Sequence, residues 1–409
     1  MTARNRSAAR RSVATIAISL AVLVVLAAPS SSAARRPAGV SPAFFGMNTG
    51  SALFDPGVDV GGQLARIRQT GTGIVRFPIY WSTAQPYRSW ADVPPEERGL
   101  FTSVGGTPTS FGSIDQQILE FAKHGLAMLP TVLQAPPWAR LQAALVWSPP
   151  ARAQDYGDFV GALVKRYGTH GEFWKKHASL ALYAPRWWQI WNEEDGGPSP
   201  EGQTLFWDGP KPYEPRYIAM LRSARAAARK ADPNARIVLG GLFGKSWDAL
   251  RRLYNFGARG LFDAVAVHPY ANTPAHVLTI LSDVHQVLES EHASRVPLLV
   301  TETGWPSSQS GSSPPGSSIY TTEAGQASEL KAEYPLLVAH RRHLNLQAIF
   351  WYCWIGREPS YDPLDYSGLL RLTPSGTVQA KPALSAYTSA LRHLEHHDPG
   401  AAFQPEPGL

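Results

Sequence analysis

The chain has 409 residues, 44% hydrophobic and 17% charged, the balance of a globular protein with a large core. Its formal charge of +6 includes four arginines and no acid in the first 34 residues; without them it falls by four to +2, and nothing left suggests nucleic-acid binding. The one cysteine, Cys353, excludes an internal disulfide, and its apolar surroundings read as those of a buried, inert thiol.

In chain order, Arg4, Arg6, Arg10 and Arg11 precede an apolar run over 13–28, followed by small residues around Ala33 and Ala34. Sixteen apolar residues are short for a membrane span, so 1–34 reads as a secretory signal peptide cleaved near Ala33–Ala34. The mature chain is then expected outside the cell without stable membrane insertion; an uncleaved anchor is the alternative. Arg10-Arg11 leaves twin-arginine export open.

Strand-length apolar runs follow at 43–48, 73–80, 126–133, 186–192, 236–241, 262–270, 297–305 and 347–354. Helix-period segments separate them, among them 114–123, 156–167, 217–230, 274–290, 323–343 and 382–394. Apolar strands alternating with helices mean a parallel sheet covered on both faces. Eight such units predict an α/β fold, a single-domain (β/α)8 TIM barrel over 35–395. A doubly wound sheet is the competitor, but no Gly-rich phosphate loop follows any strand. The Ser/Gly/Pro stretch 307–318 reads as a flexible loop after the seventh strand, a candidate lid, and 396–409 as a flexible tail.

In a barrel the strand C-terminal ends carry chemistry. Here they present Asn48, Arg76, Gln134, Asn192-Glu193, His268 with Tyr270, Glu302 and Trp354. A core strand gains nothing by ending on an acid, yet Glu193 and Glu302 end the fourth and seventh strands. They stand 109 residues apart, three βα units, which places them across the barrel mouth. Two inward carboxylates there could approach the roughly 5–5.5 Å that a retaining glycosidase needs. Salt-bridged structural acids are the plainer reading.

The motifs "IWNEED" (190–195) and "VTETGWPS" (300–307) resemble the fourth- and seventh-strand motifs of the clan A glycoside hydrolases, the "4/7" retaining enzymes. "FVGALVKRYGTHGEFW" and "LFDAVAVHPYA" resemble exported actinobacterial family 39- or family 5-like members, and "LLVTETGWPSSQ" is similar to the nucleophile signature of family 17 β-1,3-glucanases. The resemblance spans about residues 43–395. It implies a carbohydrate substrate, a poly- or oligosaccharide, with Glu193 as acid/base, Glu302 as nucleophile and Asn192 as the amide on the sugar 2-hydroxyl. It further implies that Arg76 supports the nucleophile and that His268 and Tyr270 position nucleophile or sugar. Trp354, or else Trp351, is the eighth-strand tryptophan on which the sugar stacks. No metal or other cofactor is implied.

One departure stands out. The clan pattern has proline after the acid/base, where this chain has Glu194 and then Asp195. Extra acids would favour a protonated Glu193, or they mark a reshaped fourth βα loop.

Of the 13 tryptophans, Trp138, Trp305 and Trp81 follow strand ends and are candidates for sugar contact as much as for packing, while Trp174, Trp187 and Trp188 read as core. His393, His396 and His397 read as a solvated last helical turn rather than a metal site. Two rival functions remain: a carbohydrate-binding protein that keeps the fold without turnover, and a transglycosylase using the same residues.

Overall fold

The computed structural model describes residues 42–196, 206–308 and 319–395. The segment 1–34 read from sequence as a signal peptide, the tail 396–409 with His396 and His397, and residues 309–318 of the candidate lid lie outside the described residues. Among the described residues no helix is long and apolar enough to cross a membrane.

The apolar runs form eight parallel strands: β1 (Phe45–Asn48), β2 (Ile74–Tyr80), β3 (Ala127–Leu133), β4 (Trp187–Ile190), β5 (Arg236–Phe243), β6 (Ala264–His268), β7 (Leu298–Thr303) and β8 (Leu346–Trp351). They close in sequence order, β8 pairing back onto β1, as a (β/α)8 barrel. The connecting helices are α1 (Val60–Gln69), α2 (Gly112–Lys123), α3 (Ala153–Tyr167), α4 (Glu214–Ala231), α5 (Ser246–Asn255), α6 (Pro274–Ser290), α7 (Glu323–His340) and α8 (Pro382–Glu395). Helices α1 and α5 add to the segments named from sequence. The first opens with an Asp59 side chain that accepts from the Gly62 amide at 3.0 Å, satisfying a donor that would otherwise lack a partner.

Strand alternation sorts the residues into two cores. Leu129, Val238, Ala264, Ala266, Leu299, Ala348 and Phe350 fill the barrel interior, while the odd partners on the same strands pack against the helices. Nearer the C-terminal ends the interior positions turn polar, with Asn48, Arg76, Thr131, Gln189 and His268 all buried. A buried polar layer is tolerated only where its groups pair with one another, and here they do.

Strand β5 is irregular. Its pairing with β6 shifts register between Leu239 and Gly241, a bulge beside the mouth of the barrel. After β8 the chain builds a small sheet, not anticipated from sequence, from Ile355–Arg357, Leu370–Leu372 and Val378–Ala380. The wholly buried Lys381 fastens it: Nζ donates to Ser307 O at 3.0 Å and Tyr366 O at 2.7 Å and pairs with Glu358 at 2.5 Å.

Candidate active site

Arg76 is the hub of the polar layer. It points inward from β2, and the register sets it beside Asn48 on β1. Its guanidinium donates four bonds: Nε to Gln189 Oε1 (2.8 Å), Nη1 to Asn48 Oδ1 (2.8 Å) and Glu302 Oε1 (2.6 Å), and Nη2 to Asn192 Oδ1 (2.6 Å). Asn48 in turn donates from Nδ2 to Thr301 O at 2.8 Å and Trp351 O at 3.3 Å, tying β1 to β7 and β8. The rigid guanidinium fork therefore fixes side chains from β1, β4 and β7 relative to one another.

His268 completes the arrangement from β6. Its Nδ1 lies 2.7 Å from Glu193 Oε1 and its Nε2 3.5 Å from Glu302 Oε1. Tyr270 donates to the other Glu302 oxygen, Oε2, at 3.0 Å. One oxygen of Glu193, one nitrogen of His268 and one oxygen of Glu302 all lie within 4.8 Å of one another. Those atoms are the only set of three or more such ligands among the described residues that could hold a metal, and each already faces a protein partner.

Burial sets the charge states. Glu193 is 3% exposed, and desolvation pushes its pKa up to about 8; the Arg76 cation works against that shift and Asp362 adds to it. Desolvation lowers His268 to about 3, with Glu302 opposing the shift, so the imidazole is neutral. A neutral imidazole has one donor and one acceptor nitrogen, and a protonated Glu193 satisfies Nδ1 by donating to it. Burial also pushes the Tyr270 phenol well up.

The backbone around Glu193 is unusual. Trp191 has φ +68° and Glu193 φ +46°, in the left-handed region that non-glycine residues rarely occupy. The turn carries Glu193 over the β5 bulge, where its amide donates to Gly241 O at 3.1 Å. Two consecutive glycines make the room. A Cβ on Gly241 would overlap the His268 ring, and one on Gly240 would overlap the Glu194 carboxyl.

The two extra acids therefore part company with Glu193. Glu194 is wholly buried against Gly240, beside Tyr217, and neither of its oxygens has a hydrogen-bond partner among the described residues. Asp195 accepts from the Phe243 amide at 3.1 and 3.2 Å, closing the end of β5. Burial raises both carboxyls, Asp195 to about 7.

Six of the residues singled out from sequence thus converge: Arg76, Asn192, Glu193, His268, Tyr270 and Glu302. The tryptophans do not. Trp354 is wholly buried and donates from Nε1 to Gln63 Oε1 on α1, and Trp351 faces outward, bonded to Ser367 O and tilted against Trp305. The physical reason is alternation: Ala348 and Phe350 point inward, so the next inward position is Tyr352. Burial raises the phenol of that tyrosine, and the Asp362 and Glu302 charges add to the shift. Trp138 packs edge-on against Trp81 and donates to Gln85 O; Trp81 is core, stacked on Phe159. Trp305 is 2% exposed. Gln134 has φ +58° and bonds Ser82.

Sequence reading also missed Gln189, Tyr80 and Asp362. Gln189 was legible as a lone polar side chain inside the apolar stretch of β4, which demands a buried partner. Tyr80, 40% exposed at the end of β2, feels the Arg76 cation, and Asp362 acts on Glu193 from the loop after β8. Neither carries a sequence signal.

No family model matches the chain, and no curated protein matches it. Solved structures do. A family 39 glycoside hydrolase from the gut symbiont Bacteroides cellulosilyticus WH2 superposes with a TM-score of 0.59 at 18% identity, over 87% of this chain and 64% of that one. GH5_18 from Streptomyces cattleya, in complex with GlcNAc, gives 0.59 at 17% identity over 89% of this chain and 83% of that one. The GH53 catalytic domain of Ignisphaera aggregans gives 0.54 at 17% identity, over 86% and 97% respectively. The chain therefore spans less than two thirds of the Bacteroides protein and nearly all of the Ignisphaera domain. At such identities the likeness is one of fold, a (β/α)8 barrel of the kind these glycoside hydrolases have.

Proposed function

We propose that this protein is an exported retaining β-glycoside hydrolase that cleaves O-glycosidic bonds of an oligo- or polysaccharide by double displacement. The observation that carries the reading is the pair of carboxyl groups from β4 and β7, with oxygens within 4.8 Å of each other across a neutral histidine. Retaining enzymes hold their acids about 5–5.5 Å apart, whereas inverting ones leave about 6.5–9.5 Å for a water.

A Glu302 oxygen attacks the anomeric carbon; the bond to the leaving oxygen breaks with its electron pair, and that oxygen takes the proton of Glu193. Water then attacks the same carbon, gives a proton to the Glu193 carboxylate and frees Glu302. A pKa near 8 keeps Glu193 protonated for the first step at neutral pH. Arg76 and Tyr270 hold the two Glu302 oxygens for in-line attack. Because Arg76 donates to Asn192 Oδ1, the Asn192 Nδ2 is turned to donate, as a bond to the sugar 2-hydroxyl requires.

The leader-like segment 1–34 supports export, and the structural neighbours named as glycoside hydrolases support the reaction class. The test is chemical rescue. With an activated aryl β-glycoside, Glu193→Ala should regain turnover in azide and yield the β-glycosyl azide, while Glu302→Gly should yield the α-azide. Undiminished activity in either variant without azide would remove that residue from the mechanism.

A further inference from the structure

Tyr361 is the most exposed large hydrophobic side chain of the described residues, at 102% of its reference area, and it makes no hydrogen bond or ring contact there. It stands in the loop between the first two strands of the small sheet, Ile355–Arg357 and Leu370–Leu372. An aromatic ring fully in water on a floppy tip would mean little. This tip is braced. Ser360 Oγ donates to Asp365 Oδ2 at 2.6 Å, Ser51 Oγ donates to Asp365 Oδ1 at 2.6 Å, and the Asp362 amide donates to Ser360 Oγ at 3.1 Å. Asp362 Oδ1 accepts from the Leu364 amide at 2.9 Å and starts a short 3-10 turn, Pro363–Ser367.

The loop also lies on the catalytic face. Its base is bonded across the end of the barrel, Trp351 Nε1 and Gln326 Nε2 both donating to Ser367 O at 3.0 Å. Asp362 is close enough to both Glu193 and Tyr352 for its charge to raise their pKa values. Its Oδ2 takes no hydrogen bond from the described residues.

We propose that Tyr361 is a stacking platform for a sugar unit beyond the bond being cleaved, with the Asp362 carboxylate as hydroxyl acceptor beside it, so that the enzyme takes a chain of uncharged sugars rather than a small glycoside or a uronate-bearing chain. The proposal rests on the reading of the site as a glycosidase. An aromatic face covers the C–H face of a pyranose without reading its linkage. A carboxylate beside that ring bonds hydroxyls and repels a uronate.

Two measurements separate this proposal from that reading. In the first, Tyr361→Ala, Tyr361→Phe and Asp362→Asn are compared with the unaltered protein on an aryl β-monoglycoside and on a ladder of neutral oligosaccharides of the sugar it cleaves. Tyr361→Ala should raise KM about 3–10-fold on oligosaccharides of three or more units, in line with the worth of one aromatic contact. Neither kcat nor the monoglycoside parameters should move with it, and Tyr361→Phe should behave as the unaltered protein. Asp362→Asn should narrow the preference for neutral over carboxylated chains. Equal losses on both substrates, or none on either, would overturn the platform.

In the second, the same variants are run in affinity gels containing mixed-linkage glucan, xylan, mannan or polygalacturonate. If no glycoside is hydrolysed but a neutral gel retards the protein and Tyr361→Ala abolishes the retardation, the platform stands and the hydrolase reading falls. Retardation that ignores Tyr361, or none in any neutral gel, overturns the platform.

Discussion

Gly241 lies directly against the imidazole of His268, with no room between them for a methyl group. Its backbone is not in the left-handed region, so the requirement is purely one of space. Gly241→Ala should push the ring away from Glu193 and Glu302, which it now meets at 2.7 and 3.5 Å. Overpacking of this kind costs about 1–3 kcal/mol of stability. The larger effect should fall on kcat, on the order of 10–100-fold, because misplacing reacting groups by about an ångström does so. Steady-state kinetics beside thermal unfolding checks it; an unchanged kcat would mean that His268 does not hold the two acids.

The pH dependence follows from Glu193 and His268. The acid must carry its proton to work, so kcat/KM should fall as pH rises through about 8, with the inflection absent from Glu193→Gln. Stability moves too. A carboxyl raised from 4.5 to about 8 binds its proton more tightly when folded, so its contribution is full below 4.5 and is lost as pH climbs to about 8. His268, lowered from 6.5 to about 3, contributes above 6.5 and loses that as pH falls toward 3. Taken alone, these two groups hold stability level from about pH 4.5 to 6.5; the buried carboxyls of Glu194, Asp195 and Glu333, also raised, add to the loss as pH climbs, each by at most about 1.4 kcal/mol per pH unit. Denaturant titrations across pH would show it. Glu193→Gln should make the alkaline limb shallower by one proton's worth and leave the acid limb unchanged.

Arg76 should not tolerate lysine. Its charge would survive, but one ammonium cannot replace a fork serving Gln189, Asn48, Glu302 and Asn192 at once. Removing one partner of a buried ion pair costs about 3–5 kcal/mol; keeping the charge should make Arg76→Lys cheaper than Arg76→Met in stability. Both should lose kcat by about 10²–10³-fold, since the donors set Glu302 and Asn192. Retention of kcat in Arg76→Lys would reduce the hub to a point charge.

The barrel was legible because buried parallel strands read as continuous apolar runs, and β4 and β7 announced themselves by ending such runs on Glu193 and Glu302. What alternation alone decides was also available. Counting inward positions along β8 through Ala348 and Phe350 selects Tyr352, whereas matching a motif selects the neighbouring tryptophans, which are core. The three-residue strands after β8 were not available, being too short for a period to show. Nor was Asp362, whose place beside Glu193 depends on how a loop returns across the barrel.

Glu194 puts the last expectation to the test. The acids after Glu193 looked from sequence like a device for keeping it protonated. Their geometry is different: Glu194 points away, onto Gly240, with neither oxygen hydrogen-bonded among the described residues, and Asp195 caps β5 through the Phe243 amide. Burial and the neighbouring Asp195 raise Glu194 well above the usual carboxylate range, and the Tyr217 phenol beside it already donates to Ile190 O. A group raised in this way stabilises the fold at low pH and loses that contribution as pH rises. Glu194→Gln has nearly the same shape and cannot ionise. It should therefore match the unaltered protein in Tm at about pH 4, exceed it increasingly as pH rises above about 4.5, and leave the alkaline limb of kcat/KM where Glu193 sets it. Asp195→Asn keeps an acceptor for Phe243 and should cost only about 1 kcal/mol, the worth of weakening one buried hydrogen bond. A displaced alkaline limb in Glu194→Gln would show that the buried acid tunes Glu193 after all.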